Sequence, residues 1–266
     1  MPAPSPTARP ARAPRRWLLT SNSELRADGV YAWTLPAWAG RLPDGRTYNT
    51  CPEASACADL CYARAGTYRF SNVLAAHQRN LRMVLDEPWA WEVAMTRELQ
   101  HRRYRGAAIR VHDAGDFFSD DYVIRWMRIM RASRQATFYA YTKAVSRFRR
   151  LVEPDPPANF RWVYSLGGKE DHLIDRDSER HADVFPSVEA LKAAGYADQS
   201  RSDVLAVAGP PKVGIPANNI RHLLKRQDGK SFGELQRERD ARLAAKRGRR
   251  RGSTDEVQPA VDGAAG

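Results

Sequence analysis

The sequence contains little cysteine, little lysine and no long hydrophobic run. Only three of its 266 residues are cysteine, which is too few for the disulfide framework of a small secreted protein. No apolar stretch approaches the roughly 20 residues of a membrane-spanning helix, so we expect no membrane partner. The basic N-terminus is not followed by the apolar segment of a secretion signal. Together with unpaired thiols, this predicts a cytoplasmic protein.

The motifs of several common enzyme classes are also missing. The sequence has no phosphate-binding loop, no glycine-rich dinucleotide motif, no H-E-x-x-H and no G-x-S-x-G. Hydrophobic residues nevertheless make up 42% of the chain, which is typical of a globular protein and excludes a wholly disordered or fibrous one.

Positive charge is concentrated near the two ends of the chain. The net charge is +12, and residues 1–16 contain four arginines and no acid. Residues 237–251 contain eight basic and two acidic side chains, including Arg247, Arg249, Arg250 and Arg251. Such tails can bind the phosphates of DNA or RNA, or they can simply be solvated, and composition alone does not distinguish the two.

Hydrophobic periodicity predicts strands that alternate with helices. The predicted strands are 29–38, 107–111, 137–141, 160–166 and 203–208. The predicted helices begin at Ser71 and Pro88, cover 120–132, run through Phe148, and cover 186–194. This alternation predicts an α/β fold with a parallel sheet. Residues 40–70 lack periodicity and form a long loop, which in a compact domain is usually functional.

These patterns predict three regions. A disordered Pro/Arg-rich tail covers 1–16, and a single α/β domain with the loop 40–70 covers 17–225. Residues 226–266 form a basic helix followed by a disordered tail. Ser231 and Glu234 predict a capping box at the start of that helix.

All three cysteines lie in the long loop. Cys51, Cys57 and Cys61 have the spacing C-x5-C-x3-C, and soft thiolate ligands favour zinc or an iron–sulfur cluster. A [4Fe–4S] cluster on three cysteines leaves one iron open to a non-protein ligand. A structural zinc needs a fourth protein ligand, for which His112, His172 and His181 are candidates. The third interpretation is three small buried residues without a metal.

Other polar clusters follow the predicted strands, and parallel strands would bring them to one edge of the sheet. His112 and Asp113 are the catalytic candidates there. Either Asp113 or Asp116 could bind an ammonium group or a sugar hydroxyl, or cap the next helix. Lys143 could bind a carboxylate or phosphate, or simply be exposed. Ser165 begins a turn whose two glycines could accommodate a ligand or only make the turn.

The order of these motifs resembles the gene product 88 family of actinobacterial phages and other mobile elements. The resemblance is carried by the three cysteines with Tyr62 and Ala63, and by residues 32–36, 110–119, 138–143, 165–168 and 180–185. The family implies no established activity. It is distantly similar to phage proteins of the radical S-adenosylmethionine (SAM) type, in which three cysteines hold a [4Fe–4S] cluster that cleaves SAM reductively.

This similarity implies a partial (β/α) barrel resembling a radical SAM core. Cys51, Cys57 and Cys61 would then be the cluster ligands. The segment Ala114, Gly115 and Asp116 would hold the amino group of SAM, while Lys143 and Ser165 would meet its carboxylate or ribose. An electron donor would be a further partner.

The sequence therefore predicts an iron–sulfur protein of radical-SAM-like type with an unknown substrate. The alternative is a zinc-stabilised nucleic-acid-binding protein without catalysis, encoded by a mobile element.

Overall fold

A parallel β-sheet forms the centre of the chain. The computed structural model describes residues 17–217 and 220–255, so the predicted tail 1–16 and residues 256–266 lie outside the described residues. The strands are β1 (Val30–Trp33), β2 (Ala39–Arg41), β3 (Thr47–Asn49), β4 (Ala108–Val111), β5 (Thr137–Thr142), β6 (Phe160–Ser165), β7 (His181–Phe185), β8 (Ala197–Asp198) and β9 (Lys212–Pro216).

Helices occupy most of the connections between the strands. They are α1 (Ser23–Ala27), α2 (Ala56–Asp59), α3 (Ser71–Asp86), α4 (Pro88–Leu99), α5 (Asp120–Ala132), α6 (Val145–Leu151), α7 (Val188–Ala193), α8 (Leu205–Ala208), α9 (Arg221–Gln227) and α10 (Phe232–Asp255). Among the described residues, no helix is both long enough and apolar enough to cross a membrane.

The sheet has seven strands in the order β1-β4-β5-β6-β7-β9-β8, and each of its six strand pairs is parallel. The first six strands across the sheet follow one another in chain order. Because parallel crossovers are right-handed, this one-way progression places the larger connecting helices, α3 to α6, on one face. Strands β2 and β3 form a separate antiparallel pair. The predicted α/β class is confirmed, whereas the partial-barrel form stays a prediction.

The main hydrophobic core lies between the sheet and the helices α3 to α6. Trp33 and Val111 of the sheet are completely buried there, together with Trp91 of α4 and Trp126 of α5. The predicted inner side of α5 is confirmed, since all its members are buried: Tyr122, Val123, Trp126, Ile129 and Met130. The periodicity works here because one face of the helix meets the sheet and the other meets solvent.

The opposite face of the sheet is covered by shorter elements. Ala32 of β1 and Tyr139 of β5 pack with Leu25 of α1, and Val163 of β6 packs with Ala206 of α8. These two clusters are much smaller than the main core. This face therefore has room for polar side chains.

Most strand predictions are confirmed, but the prediction of a strand at 203–208 is wrong. That segment contains the short helix α8, and the sheet position is taken by β9. The sequence analysis also missed β7, because its residues HADVF show no clear alternation. A strand buried on both faces needs none, and the buried Asp183 of β7 is satisfied by the backbone N–H of Gly233, 3.0 Å away.

Helix starts are set by specific caps. The predicted capping box is confirmed: the Ser231 N–H donates to the Glu234 carboxylate (2.7 Å), and the Glu234 N–H donates to Ser231 Oγ (3.2 Å). Helix α7 begins two residues later than predicted, because Ser187 caps it by accepting from the N–H of Ala190. Ser119 caps α5, so neither Asp113 nor Asp116 has that role.

Candidate functional site

The loop that carries the cysteines lies across the carboxyl ends of the central strands. We call residues 50–61 the cysteine loop. The N–H of Asp116, which follows β4, donates to the carbonyl of Thr50 (2.8 Å). The N–H of Cys57 donates to the carbonyl of Gly167, which follows β6 (3.0 Å). These bonds fix the loop over the edge of the sheet at which the predicted polar clusters end.

The two glycines after β6 allow this close approach. Gly167 has a φ of +93°, and a Cβ there would lie 3.1 Å from Cys57 Cβ and 3.2 Å from Phe232 Cβ. A Cβ on Gly168 would lie 3.1 Å from the carbonyl oxygen of Glu53. Both backbone N–H groups donate to the Asp171 carboxylate at 2.8 Å. The glycines thus make a turn and also let the cysteine loop rest on it.

The three thiols are free, partly buried and close enough to influence one another. Burial raises the pKa of each thiol, that of Cys51 to about 12, and a charge on Cys57 raises the pKa of the other two further. The positive charge of Lys143 lowers the pKa of Cys57 and Cys61. As placed, no three His, Cys, Asp or Glu side chains among the described residues are arranged to hold a metal ion.

Lys143 reaches into the same space rather than into solvent. Its Nζ donates to Ser165 Oγ at 2.7 Å, so the two predicted side chains are brought together. Burial lowers the pKa of Lys143, but its electrostatic interactions with Cys57, Asp116 and Asp171 outweigh this effect and raise it. The arrangement gives the sheet edge one stable cation facing the thiols.

Asp116 holds the strand ends together. Its Oδ1 accepts from Thr142 Oγ1 (2.7 Å) and from the N–H of Phe117 (2.7 Å), and its Oδ2 accepts from the N–H of Lys143 (2.9 Å). Burial raises the pKa of the Asp116 carboxyl.

Residues Ala114 and Gly115 contact the end of β1. The carbonyl of Ala114 accepts from the N–H of Leu35, and a Cβ on Gly115 would lie 2.8 Å from Leu35 Cβ. The predicted segment 114–116 is thus largely occupied by bonds and contacts within the chain.

None of the three candidate zinc histidines lies with the thiols. His112 is 3% exposed, and its Nε2 is 2.9 Å from the hydroxyl of Tyr122 in the main core. His181 is completely buried, with its two ring nitrogens bonded to the carbonyl of Glu179 and the hydroxyl of Tyr196. His172 is exposed. A backbone φ of +71° turns His112 away from the sheet edge that its sequence position predicted.

A buried ionic cluster lies on the less covered face of the sheet and was missed by the sequence analysis. Arg110 forms ion pairs with Asp113 (3.3 Å) and with Asp203, which precedes α8 (3.2 Å). The hydroxyl of Tyr68 donates to the Asp113 carboxylate, and that of Tyr139 donates to Asp203. An arginine inside an otherwise apolar strand was the available signal.

The ionic cluster is joined to the cysteine loop and borders a cleft. The hydroxyl of Tyr62, the residue after Cys61, donates to the carbonyl of Asp113 at 2.6 Å. A cleft of about 210 Å³ opens beside Asp113, and Thr34, Tyr68 and His77 are among its lining residues. There is therefore space for a small molecule on this face.

The C-terminal helix packs on the cysteine loop. Gln236 Oε1 accepts from the N–H of Ala56 (2.9 Å), and Arg239 pairs with Asp59 (2.7 Å). Arg247 and Arg249 are exposed on the same helix. The side chains of Arg250 and Arg251, also predicted for nucleic-acid contact, lie outside the described residues.

Comparisons with known proteins show which family the chain is related to. The family model for gene product 88 matches residues 15–248. The Gene 88 protein of Mycobacterium phage L5 is 32% identical over 110 residues, which are 38% of this chain and 46% of that protein. The Gene 88 protein of Mycobacterium phage D29 is 30% identical over 110 residues, 38% of this chain and 45% of that protein.

The matched segment spans slightly less than half the length of these curated relatives. No solved structure matches the chain. Because the family model covers most of the sequence, and because the motif order points to the same family, the chain belongs to the gene product 88 family.

Proposed function

We propose that this protein is an iron–sulfur protein of radical-SAM-like type, with Cys51, Cys57 and Cys61 as ligands of a [4Fe–4S] cluster. The observation that carries the proposal is the position of three free thiols on one loop, across the carboxyl ends of parallel strands and beside Lys143. Sites in parallel α/β folds form at this end of the strands.

The strand order supports the architecture that the proposal requires. Six parallel strands follow each other in chain order, with the larger helices on one face, and this is the arrangement from which a partial (β/α) barrel is built. In such a barrel the ionic cluster of Arg110 would face the interior.

The donor set fits a thiolate-held cluster in its chemistry. Three soft sulfur ligands suit iron–sulfur or zinc, and the mutual effect of the thiols on their pKa values is consistent with a shared site. In their present positions the thiols do not yet converge, so binding requires them to turn toward one another. Metal binding is often coupled to the folding of the segment that carries the ligands, because a preformed site rarely exists in the unfolded state.

Within this proposal the chain's own residues have defined tasks. With SAM bound, the cluster would supply reductive cleavage of SAM, using an electron from a donor protein. Lys143 would bind the SAM carboxylate, and Ser165 would orient the lysine through their hydrogen bond. Asp116 would act mainly by fixing the ends of β4 and β5, since most of its hydrogen bonds are internal.

The alternative of a structural zinc receives less support. It requires a fourth ligand, and each predicted histidine is either exposed elsewhere or bonded in the interior.

Metal analysis of protein purified without oxygen tests the proposal. We expect about four irons with sulfide per chain and a broad absorbance near about 400 nm. Cys57→Ser should lose most of the iron. Ser55→Ala is the matched control in the same loop and should keep it, since the Ser55 hydroxyl caps no helix. One zinc without iron, or no metal in protein never exposed to oxygen, would contradict the cluster.

The role of Lys143 can be tested separately in cluster-loaded protein. Lys143→Gln should keep its iron but bind SAM at least about tenfold more weakly, because a charge-assisted bond is lost. Lys192→Gln, at an exposed position of α7, is the control and should bind SAM as the wild type does. Unchanged SAM affinity in Lys143→Gln would remove this lysine from the proposed site.

A further inference from the structure

We infer that the partner of the cysteine-loop site is a nucleic acid, held by its phosphates along the basic side of α10. The inference rests on the proposed function only in one respect, the iron–sulfur cluster at the three thiols. The binding surface follows from charge and position, whether or not a cluster is present.

The first observation is a row of basic side chains on one side of α10. Arg239, Arg242, Lys246 and Arg249 are spaced by three, four and three residues. In an α-helix this spacing keeps all four within an arc of about 80° and over about 15 Å of length. We call these four residues the basic row. Basic side chains clustered along one side of a helix can neutralise successive phosphates of a nucleic acid.

The second observation is that most of the row remains open to a partner. Arg242 is 71% exposed and makes only a long ion pair of 3.8 Å with Glu238, whose other partner is Lys230 at 2.6 Å. Lys246 and Arg249 form no ion pair with another described residue. Ten basic and four acidic residues lie between 220 and 249, so the neighbouring surface is also positive.

The third observation separates a nucleic acid from a membrane surface. Residues 241–249 are all exposed, and Leu243 is the one large apolar side chain among them. Helices that bind lipid surfaces need an apolar face to insert, and this half of α10 lacks one. Lys and Arg clustered along a helix without such a face are instead the electrostatic footprint of a nucleic-acid-binding surface.

The fourth observation connects the row to the thiols. Arg239 Nη1 donates to Asp59 Oδ2 (2.7 Å), and Arg226 of α9 donates to the backbone carbonyl of the same residue (3.2 Å). Asp59 lies two residues after Cys57 and two before Cys61. Both basic helices therefore meet the cysteine loop, and a strand lying on the row extends to the proposed site.

Binding of labelled oligonucleotides of about 20 nucleotides to the full chain tests the inference, with single-stranded DNA, RNA and duplex compared by fluorescence anisotropy. The test variant is Arg242→Gln, Lys246→Gln and Arg249→Gln combined. It should bind about 10- to 100-fold more weakly at low salt. The slope of log affinity against log salt concentration should be smaller by about two to three. Three phosphate contacts are lost, and each of them no longer releases its counterion.

The matched control neutralises three exposed arginines at the other end of the sheet. Arg102 and Arg105 precede β4 and Arg134 precedes β5, so changing all three to glutamine removes the same charge away from the cysteine loop. This control should bind within about twofold of the wild type. Equal weakening by both triple variants, tighter binding to anionic vesicles than to any oligonucleotide, or no binding at all would overturn the inference.

Two further measurements distinguish this inference from the proposed function. Cys57→Ser should lose iron yet keep its oligonucleotide affinity. Wild-type protein that binds oligonucleotide but contains no iron would contradict the proposed cluster and leave the nucleic-acid inference standing. Photocrosslinks from thiouridine-containing RNA should map to residues 56–62 as well as to α10. Crosslinks confined to α10 would overturn the link between the row and the thiols.

Discussion

His112 combines a left-handed backbone, a buried ring and an unsatisfied nitrogen. Its φ is +71°, its Nε2 meets the hydroxyl of Tyr122, and its Nδ1 has no hydrogen-bond partner among the described residues. Burial lowers the pKa of this histidine to about 3. A neutral ring is therefore part of the folded core, and the side chain lies there rather than with the thiols.

We therefore expect the protein to lose stability in mild acid. The pKa is 6.5 in the unfolded chain and lower when folded, so the stabilisation is complete above pH 6.5 and decreases as the pH falls toward 3. The loss is about 1.4 kcal/mol per pH unit in that window. His112→Asn, which tolerates the positive φ, should flatten the pH dependence of the unfolding free energy measured with urea between pH 7.5 and 5.

The control for that comparison is His172→Asn at an exposed position, which should keep the wild-type pH dependence. If His112→Asn showed the wild-type slope as well, the acid sensitivity would arise elsewhere, for example at the buried His181, whose pKa is also lowered by burial.

Arg110 links two elements, strand β4 and the segment before α8. It is the shared cation of Asp113 and Asp203, and it holds that segment on the less covered face of the sheet. The positive charge of Arg110 compensates both carboxylates, each of which also accepts a hydrogen bond from a tyrosine hydroxyl. Removing the arginine alone would leave both acids uncompensated. Loss of one partner of a buried ion pair is strongly destabilising, because the remaining charge stays buried without a partner.

We therefore expect Arg110→Met to lower the free energy of unfolding by about 3–5 kcal/mol. Adding Asp203→Asn should restore part of this loss, because one uncompensated charge disappears, and the coupling energy should be about 1–2 kcal/mol. Chemical denaturation of the single and double variants measures it. Arg82→Met, which breaks an exposed pair of 3.7 Å with Asp86, should cost less than about 1 kcal/mol. Additive effects of Arg110→Met and Asp203→Asn would contradict the coupling.

On the scale of the whole molecule, α10 packs against a segment that is distant from it in the sequence. Gln236 accepts from the backbone N–H of Ala56, a residue 180 positions earlier, and both groups are buried. The N-terminal turns of α10 thereby cover the cysteine loop. The predicted domain boundary after residue 225 stays a prediction, but the contact crosses it.

Gln236→Ala should leave the Ala56 N–H without a partner and destabilise the protein by about 1–3 kcal/mol. Because this bond tethers the loop, Cys57 should be alkylated faster by iodoacetamide in metal-free protein. Arg237→Ala, at the next and exposed position, should change neither quantity appreciably. Equal alkylation rates in both variants would show that the loop is held without α10.

Local sequence patterns were enough for much of the fold. They predicted the one-sided helix at 120–132, the helix that starts at Pro88, and the capping box of Ser231 and Glu234. They also predicted the central strands β4 to β6. Each depends on residues within a few positions of one another. Strands β7 and β9 were not found, because their burial comes from partners far away in the sequence.

The sequence by itself determined the α/β class, the gathering of the thiols on one loop, and the family. The tertiary structure decided that Lys143 and Ser165 meet beside Cys57, that Asp116 bonds to the end of β5, and that His112 turns into the core. It also decided that two basic helices meet the loop at Asp59. Propensity and periodicity act over a few residues, whereas hydrogen bonds and ion pairs between distant segments depend on how the whole chain packs.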